Sequence, residues 1–143
     1  METARQERER IVLLPKLEPR AAKILVVEDD AEMRSLLEET LREEGYQAIG
    51  APDTLSAMIT LFAEGADLIV TDWKMPAMDG LELLKCVKRY HPALGVVFVT
   101  AYAHPDLRRR ALENGASSFL AKPFRRETLL DHIRAALAGL PQA

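Results

Sequence analysis

The sequence predicts an α/β domain built on one doubly wound parallel sheet of five strands, with helices on both faces. Three observations carry this. From Lys23 onward, short β-branched or aliphatic runs alternate with longer segments of helical periodicity, the pattern of βαβ units. Three of the five runs are nearly continuous Val, Ile and Leu, as expected of parallel strands covered on both faces. Glu44-Gly45 and Asn114-Gly115 set a glycine just past a helix end, where a left-handed backbone is easiest without a Cβ.

In chain order, the run KILVV over 23–27 is the first strand and leads into a helical pattern over 31–44. A second strand over 46–50 follows Gly45, and a helix over 54–63 follows that. The apolar run LIVT over 68–71 is the third strand, with a helix over 81–90. The fourth strand covers 96–100, its helix 106–114, and the fifth strand 118–121 precedes a last helix over 127–137. Right-handed crossovers between such units wind the helices onto both faces. Ligand chemistry then belongs beyond the carboxyl ends of the strands, where the strand order reverses.

A chain of 143 residues with 48% hydrophobic content fits one compact domain. Its 19 basic against 22 acidic residues give a net charge of -3, so no global field draws it to nucleic acid or an anionic membrane. Direct nucleic-acid contact and membrane insertion are therefore not expected. The single cysteine, Cys86, excludes an intramolecular disulfide and a CxxC metal site and suits a reducing, cytoplasmic location. The apolar run at 11–14 is too short for a membrane span or a signal-peptide core. Residues 1–22 differ from the rest: Arg5, Glu7, Arg8, Glu9 and Arg10 are charged, and Pro15 and Pro19 break any helix. They read as a flexible extension, although Ile11, Val12, Leu13, Leu14 and Leu17 give it something to bury. The domain proper is 23–140, with 141–143 a short tail.

The polar residues that interrupt the apolar strands fall where the topology puts ligands. Glu28, Asp29 and Asp30 follow the first strand, Asp72 the third, Thr100 ends the fourth and Lys122 follows the fifth. If the first and third strands are neighbours, Glu28, Asp29 and Asp72 bring negative charges together, and a cation should bind between them. An oxygen-rich pocket with few protein ligands suits Mg²⁺, which retains waters and takes further ligands from a phosphoryl group. Taken singly, each residue has a plain structural explanation: Asp29-x-x-Glu32 reads as a capping arrangement and Asp72 as a loop stabiliser. Taken together, they share no structural explanation, whereas a phosphoryl site uses them all. The loop 28–32 lacks glycines and carries carboxylates, which disfavours a P-loop or dinucleotide site. A dehalogenase-type phosphatase has a second acid two residues after its nucleophile; here that position is Lys74.

The segments ILVVEDDAEMR, LIVTDWKMPAMDGLELLK, VVFVTAYA and GASSFLAKPF, in that order, resemble a bacterial response-regulator receiver domain of the two-component systems. The resemblance covers 23–140 and implies the strand order 2-1-3-4-5. It further implies that Asp72 accepts a phosphoryl group from a sensor histidine kinase or a histidine phosphotransfer protein. Glu28, Asp29, Asp72 and the backbone carbonyl of Lys74 then hold Mg²⁺, with Glu28 standing where Asp is common. Thr100, the Ala101 N–H and Lys122 contact the phosphoryl oxygens, and a cis peptide is implied before Pro123. Thr100 and Phe119 form the switch, Phe119 standing where Tyr is common.

Lys74 and Tyr102 flank this site, and their bulk suggests shielding of an acyl phosphate from water, hence slow self-dephosphorylation. The resemblance makes the protein a signalling phosphoacceptor rather than an enzyme, assisting only its own modification. With the chain ending soon after the fifth helix, a separate downstream protein is the expected reader. The alternatives are a phosphate-independent scaffold and a receiver excised from a larger transcription regulator. Arg108, Arg109 and Arg110, with Arg125 and Arg126, suggest a basic patch or a solvated helix face. The face made by the fourth helix, fifth strand and fifth helix is one through which a homodimer could form. His91, His104 and His132 have no ligand spacing, and Cys86 and Trp73 read as packing residues.

Overall fold

The computed structural model describes residues 21–75 and 78–139. Residues 1–20 of the extension, residue 140 and the whole tail (141–143) lie outside the described residues. Five strands, β1 (Lys23–Val27), β2 (Gln47–Ala51), β3 (Leu68–Thr71), β4 (Gly95–Thr100) and β5 (Ser118–Ala121), alternate with five helices. These are α1 (Ala31–Glu43), α2 (Thr54–Glu64), α3 (Gly80–Tyr90), α4 (Pro105–Glu113) and α5 (Arg126–Leu137). All strand pairs are parallel, in the order β2-β1-β3-β4-β5. The order reverses between β1 and β3, so the loops after these strands leave the same edge side by side.

Alternation along each strand divides the core into two layers. Ile24, Val26, Leu68, Val70, Val97, Val99 and Leu120 face Leu37 and Leu41 of α1 and Leu129, Leu130 and Ile133 of α5. Leu25, Val27, Ile69, Val96, Phe98 and Phe119 face α2, α3 and α4 through Ala57, Leu61, Leu83, Leu84, Val87 and Ala111. Neighbouring residues of one strand thus serve opposite layers, which is why the strands read as continuous apolar runs. Each fully buried Leu, Ile or Phe contributes about 1.5–3 kcal/mol of transfer free energy, enough to hold loops at the sheet edge that carry little apolar burial.

The element boundaries differ from the sequence expectation in small, explicable ways. Strand β2 starts at Gln47 rather than 46 because the Tyr46 amide donates to the carbonyl of Leu41 at the exit of α1 (3.1 Å). The Gln47 amide then opens the ladder by donating to the Ala22 carbonyl (2.9 Å). Helix α4 starts at Pro105, with His104 Nδ1 accepting from the Asp106 amide (3.1 Å), a cap that pattern reasoning does not foresee from histidine. The Lys122–Pro123 peptide is cis, as the resemblance implies. Among the described residues, no helix is long and apolar enough to cross a membrane.

Candidate functional site

Each polar side chain at the sheet edge is aimed by a strand that ends beneath it. The backbone of Glu28 is fixed on both sides: its amide donates to the Ala51 carbonyl (3.0 Å), and its own carbonyl accepts from Arg34 Nη1 (2.8 Å). The Asp72 amide donates to the Val27 carbonyl (3.1 Å), tying the end of β3 to the end of β1. The Lys122 amide donates to the Thr100 carbonyl (2.8 Å), tying the end of β5 to β4. Three loops from three strands are thereby locked to neighbouring strand ends.

Their side chains meet in one open cleft of about 580 Å³, lined by Glu28, Asp29, Asp30, Met33, Asp72, Lys74, Met75, Tyr102 and Lys122. Lys122 Nζ donates to Glu28 Oε1 (2.6 Å) and to Asp72 Oδ2 (3.1 Å), bridging the two carboxylates. The other oxygen of Asp72, Oδ1, accepts from the Trp73 amide (2.6 Å). Glu28 is only 2% exposed, and its second oxygen, Oε2, is buried without a hydrogen-bond partner. Carboxylate oxygens of Glu28, Asp29 and Asp72 lie within 4.8 Å of one another. A buried anionic oxygen left unsatisfied beside two further carboxylates is costly unless a cation completes it. The donor set is all hard oxygen, so these residues fit Mg²⁺.

The electrostatics follow from this packing. Burial raises the Glu28 carboxyl above its ordinary range, and the Asp72 charge adds to the rise while Lys122 opposes it. Burial also disfavours the Lys122 ammonium, but its hydrogen bonds and ion pairs with Glu28 and Asp72 outweigh that and raise it overall. Lys122 is therefore a cation at neutral pH, already seated where negative charge would gather.

Not every residue expected at the site lines the cleft. Thr100 is completely buried, and its hydroxyl accepts from the Tyr102 amide (3.1 Å). Ala101 is exposed on the following loop. Phe119 lies on the far side of β4, 6% exposed, with its ring 6.0 Å from that of Phe98 and 6.2 Å from that of Trp73. Its outer edge borders a separate hollow with Ala103, His104, Pro105, Arg108 and Ala121. The capping expectation for the first helix is corrected by one residue: Asp30, not Asp29, caps α1, with Oδ1 accepting from the Met33 amide (2.9 Å). Asp29 is thereby left for the cluster.

Lys74 and Tyr102 touch each other, with Lys74 Nζ 4.8 Å from the ring centroid, so the two flanking side chains form one cation–π bridge at the cleft. Arg126 is ion-paired across to Glu43 at the end of α1 and to Glu44 just beyond it, which removes it from the suggested basic patch. Arg109 pairs within α4 to Asp106 and Glu113, and Arg110 lies over the ring of Trp73 (5.9 Å). Sequence reasoning missed Arg34 as the clamp on Glu28, and Met33 and Met75 as cleft walls. Helical spacing puts Arg34 one turn beyond Asp30, but nothing in that spacing says which carbonyl it reaches.

Residues 24–134 match the family model of the response regulator receiver domain. The chain belongs to that family. This receiver is 38% identical over 112 residues to sporulation initiation phosphotransferase F of Bacillus subtilis, covering 78% of this chain and 90% of the relative. It is also 38% identical over 122 residues to the response regulator protein FleR of Pseudomonas aeruginosa, covering 85% of this chain and 26% of that relative. Against the phosphate regulon regulator PhoB of Escherichia coli it spans 52% of the relative's length. The receiver thus matches almost the whole of one relative and a quarter to a half of others. Among solved structures, the chemotaxis protein CheY4 of Vibrio cholerae superimposes with a TM-score of 0.77 at 30% identity, over 81% of this chain and 98% of that one. NtrX of Brucella abortus gives 0.79 at 32% identity, over 83% of this chain and 27% of that one. The receiver is a signalling module of two-component response regulators, with the five-stranded sheet order of its structural neighbours.

Proposed function

We propose that Asp72 accepts a phosphoryl group from a phosphohistidine on a sensor histidine kinase or histidine phosphotransfer protein, and that the modified receiver switches its binding of a downstream protein in the cytoplasm. The unit responsible is 23–140, with 1–22 an extension and 141–143 a tail. The observation that carries the reading is the Lys122 bridge between Glu28 and Asp72 beside the unsatisfied Glu28 Oε2. One cation is seated on the acceptor, and the all-oxygen donor set of Glu28, Asp29 and Asp72 suits a second.

Glu28, Asp29, Asp72 and the carbonyl of Lys74 would hold Mg²⁺, which when bound supplies positive charge to the oxygens of the transferring group. The chain's own part is positioning. The Trp73 amide holds Asp72 Oδ1 and so fixes the carboxylate plane, while Lys122 Nζ waits beside Oδ2. A carboxylate oxygen lone pair attacks phosphorus, the P–N bond to the donor histidine breaks, and the imidazole nitrogen leaves with the bonding pair. Lys122 meets the charge that spreads over the equatorial oxygens, in an orientation already set by Glu28. The Thr100 hydroxyl and Ala101 N–H reach the phosphoryl group only if Thr100 gives up its bond from the Tyr102 amide. That movement alters the packing behind β4, where Phe119 lies buried, and supplies the switch.

The test is the intact mass of the protein after exposure to a small-molecule phosphodonor, with Mg²⁺ or with a chelator. One phosphoryl group is expected with Mg²⁺ and none with the chelator; no gain in either condition overturns the reading.

Two residue roles give further expectations. The Lys74–Tyr102 bridge stands where attacking water would approach, so Lys74→Ala combined with Tyr102→Ala should hydrolyse the phosphoprotein faster, by roughly tenfold or about 1.4 kcal/mol of barrier. Loss of the mass increment with time measures this, and a rate equal to the parent's sinks the shielding role. Phe119→Ala should leave phosphorylation of Asp72 intact but abolish the phosphate-dependent change in partner binding. The ring lines no part of the cleft, so unchanged partner discrimination in pull-down assays would remove it from the switch.

A further inference from the structure

Helix α2 is apolar on two sides. Its inner side buries Ala57 and Leu61 against the sheet, but Leu55, Ile59 and Phe62 are 72%, 61% and 86% exposed. At 3.6 residues per turn these three fall within about 60° of arc and form a stripe roughly 10 Å long. Glu64 is the only charged residue in the helix, so no ionic rim solvates this side. A helix with two apolar sides has two apolar contacts, and the sheet supplies one.

The chain itself leads to the second. Lys23, the first residue of β1, donates from its side chain to the carbonyl of Glu64 at the end of α2 (3.4 Å), and its amide bonds Asp67 just beyond (2.7 Å). The polypeptide preceding β1 therefore enters the fold beside the Phe62 end of the stripe. That polypeptide contains Ile11, Val12, Leu13, Leu14 and Leu17. Leu17 lies six residue steps before Lys23, and an extended chain covers at most about 20 Å over that length, enough to bring the apolar run back along α2. The patch itself argues against a second copy: three side chains fall well short of the roughly 800 Å² per partner that a stable dimer needs. A tethered segment needs far less, since its effective concentration is of the order of millimolar.

We propose that residues 11–17 dock intramolecularly on the Leu55–Ile59–Phe62 stripe of α2. The docked segment would cover the apolar side of α2, on the far side of β1 from α1. This is independent of the phosphoryl site, which the stripe does not adjoin through any cleft-lining residue.

Arg10, Lys16 and Arg20 offer trypsin sites within and beside the segment, so limited proteolysis of the full chain reads the docking. Cleavage after Arg10 and Lys16 should be at least tenfold slower in the parent than in an Ile59→Ser/Phe62→Ser variant. Leu13→Ser/Leu14→Ser should accelerate cleavage equally, and the two pairs combined should add nothing, because they break the same contact. The first pair is exposed and the second precedes β1 in the sequence, so folding of each variant can be verified by its thermal transition. Equal cleavage rates in parent and variants overturn the proposal. Protection that grows with protein concentration, together with dimer in sedimentation, overturns it in favour of a second copy.

Discussion

Asp72→Asn is expected to abolish the gain of a phosphoryl group while leaving the domain folded. Asparagine keeps the shape and can still accept the Trp73 amide at its oxygen, so the loop after β3 has no steric reason to move. What disappears is the anion. The amide is a poor nucleophile toward phosphorus, and the acidic cluster falls from three carboxylates to two, which weakens any hold on Mg²⁺. The Asp72 charge helps to raise the Glu28 carboxyl, so its removal relieves a repulsion there, while it also ends the 3.1 Å ion pair with Lys122; the two effects have opposite signs. Lys122 keeps its 2.6 Å bond to Glu28. Intact mass should therefore show no added phosphoryl group under conditions that modify the parent fully, and the thermal midpoint should change little, because the lost ion pair and the relieved repulsion offset each other. A smaller upward shift of that midpoint by Mg²⁺ should accompany it, by mass action on the folded state. An undiminished mass increment in the variant would move the acceptor to another side chain and overturn the assignment.

Gly80→Ala should combine a loss of stability with a loss of phosphorylation, although Gly80 lines no part of the cleft. Helix propensity alone favours alanine by up to about 1 kcal/mol in a helix interior. Packing opposes it: a Cβ at Gly80 would lie 2.7 Å from the Asp72 carbonyl oxygen, 2.9 Å from Trp73 Cα and 2.6 Å from Phe98 Cε1. Two of these atoms are backbone and the third belongs to a completely buried ring, so none is a flexible end that can swing aside. Overpacking of this kind costs about 1–3 kcal/mol and outweighs the propensity gain. The displaced backbone is that of the acceptor itself, and the 2.6 Å bond from the Gly80 amide to the Trp73 carbonyl is strained with it. A misplacement of about 1 Å costs on the order of a hundredfold in rate. The midpoint of urea unfolding and the rate of mass gain measure the two effects, and parent-like values for both would show that the segment yields without cost.

Much of the molecule was legible in order and period. The strands 23–27, 68–71 and 118–121 were readable to the residue because their apolar runs end abruptly in Glu28, Asp72 and Lys122, the residues that the sheet edge exposes to one cleft. Where the structure differs from the pattern, a backbone amide decides: that of Tyr46 is held by the exit of α1 and so cannot open β2, and that of Met33 bonds Asp30 rather than Asp29 as the helix cap. Such one-residue choices depend on where an amide finds its acceptor, which composition and spacing do not encode. The sharing of Lys122 between Glu28 and Asp72, 94 and 50 residues away along the chain, had no local signal at all.

By itself the sequence determined the alternation of strands and helices, the two-sided burial of the sheet and the acids, hydroxyl and amine at the strand ends, because these follow from period and residue type. Tertiary structure alone decided that Glu28 carries an unsatisfied buried oxygen, that Thr100 is turned to the Tyr102 amide, and that Lys74 and Tyr102 meet. It also decided that the apolar stripe of α2 faces outward beside the root of the N-terminal extension. The reason is the same in each case: these properties belong to pairs of groups from different elements, and only packing fixes which pairs share a place.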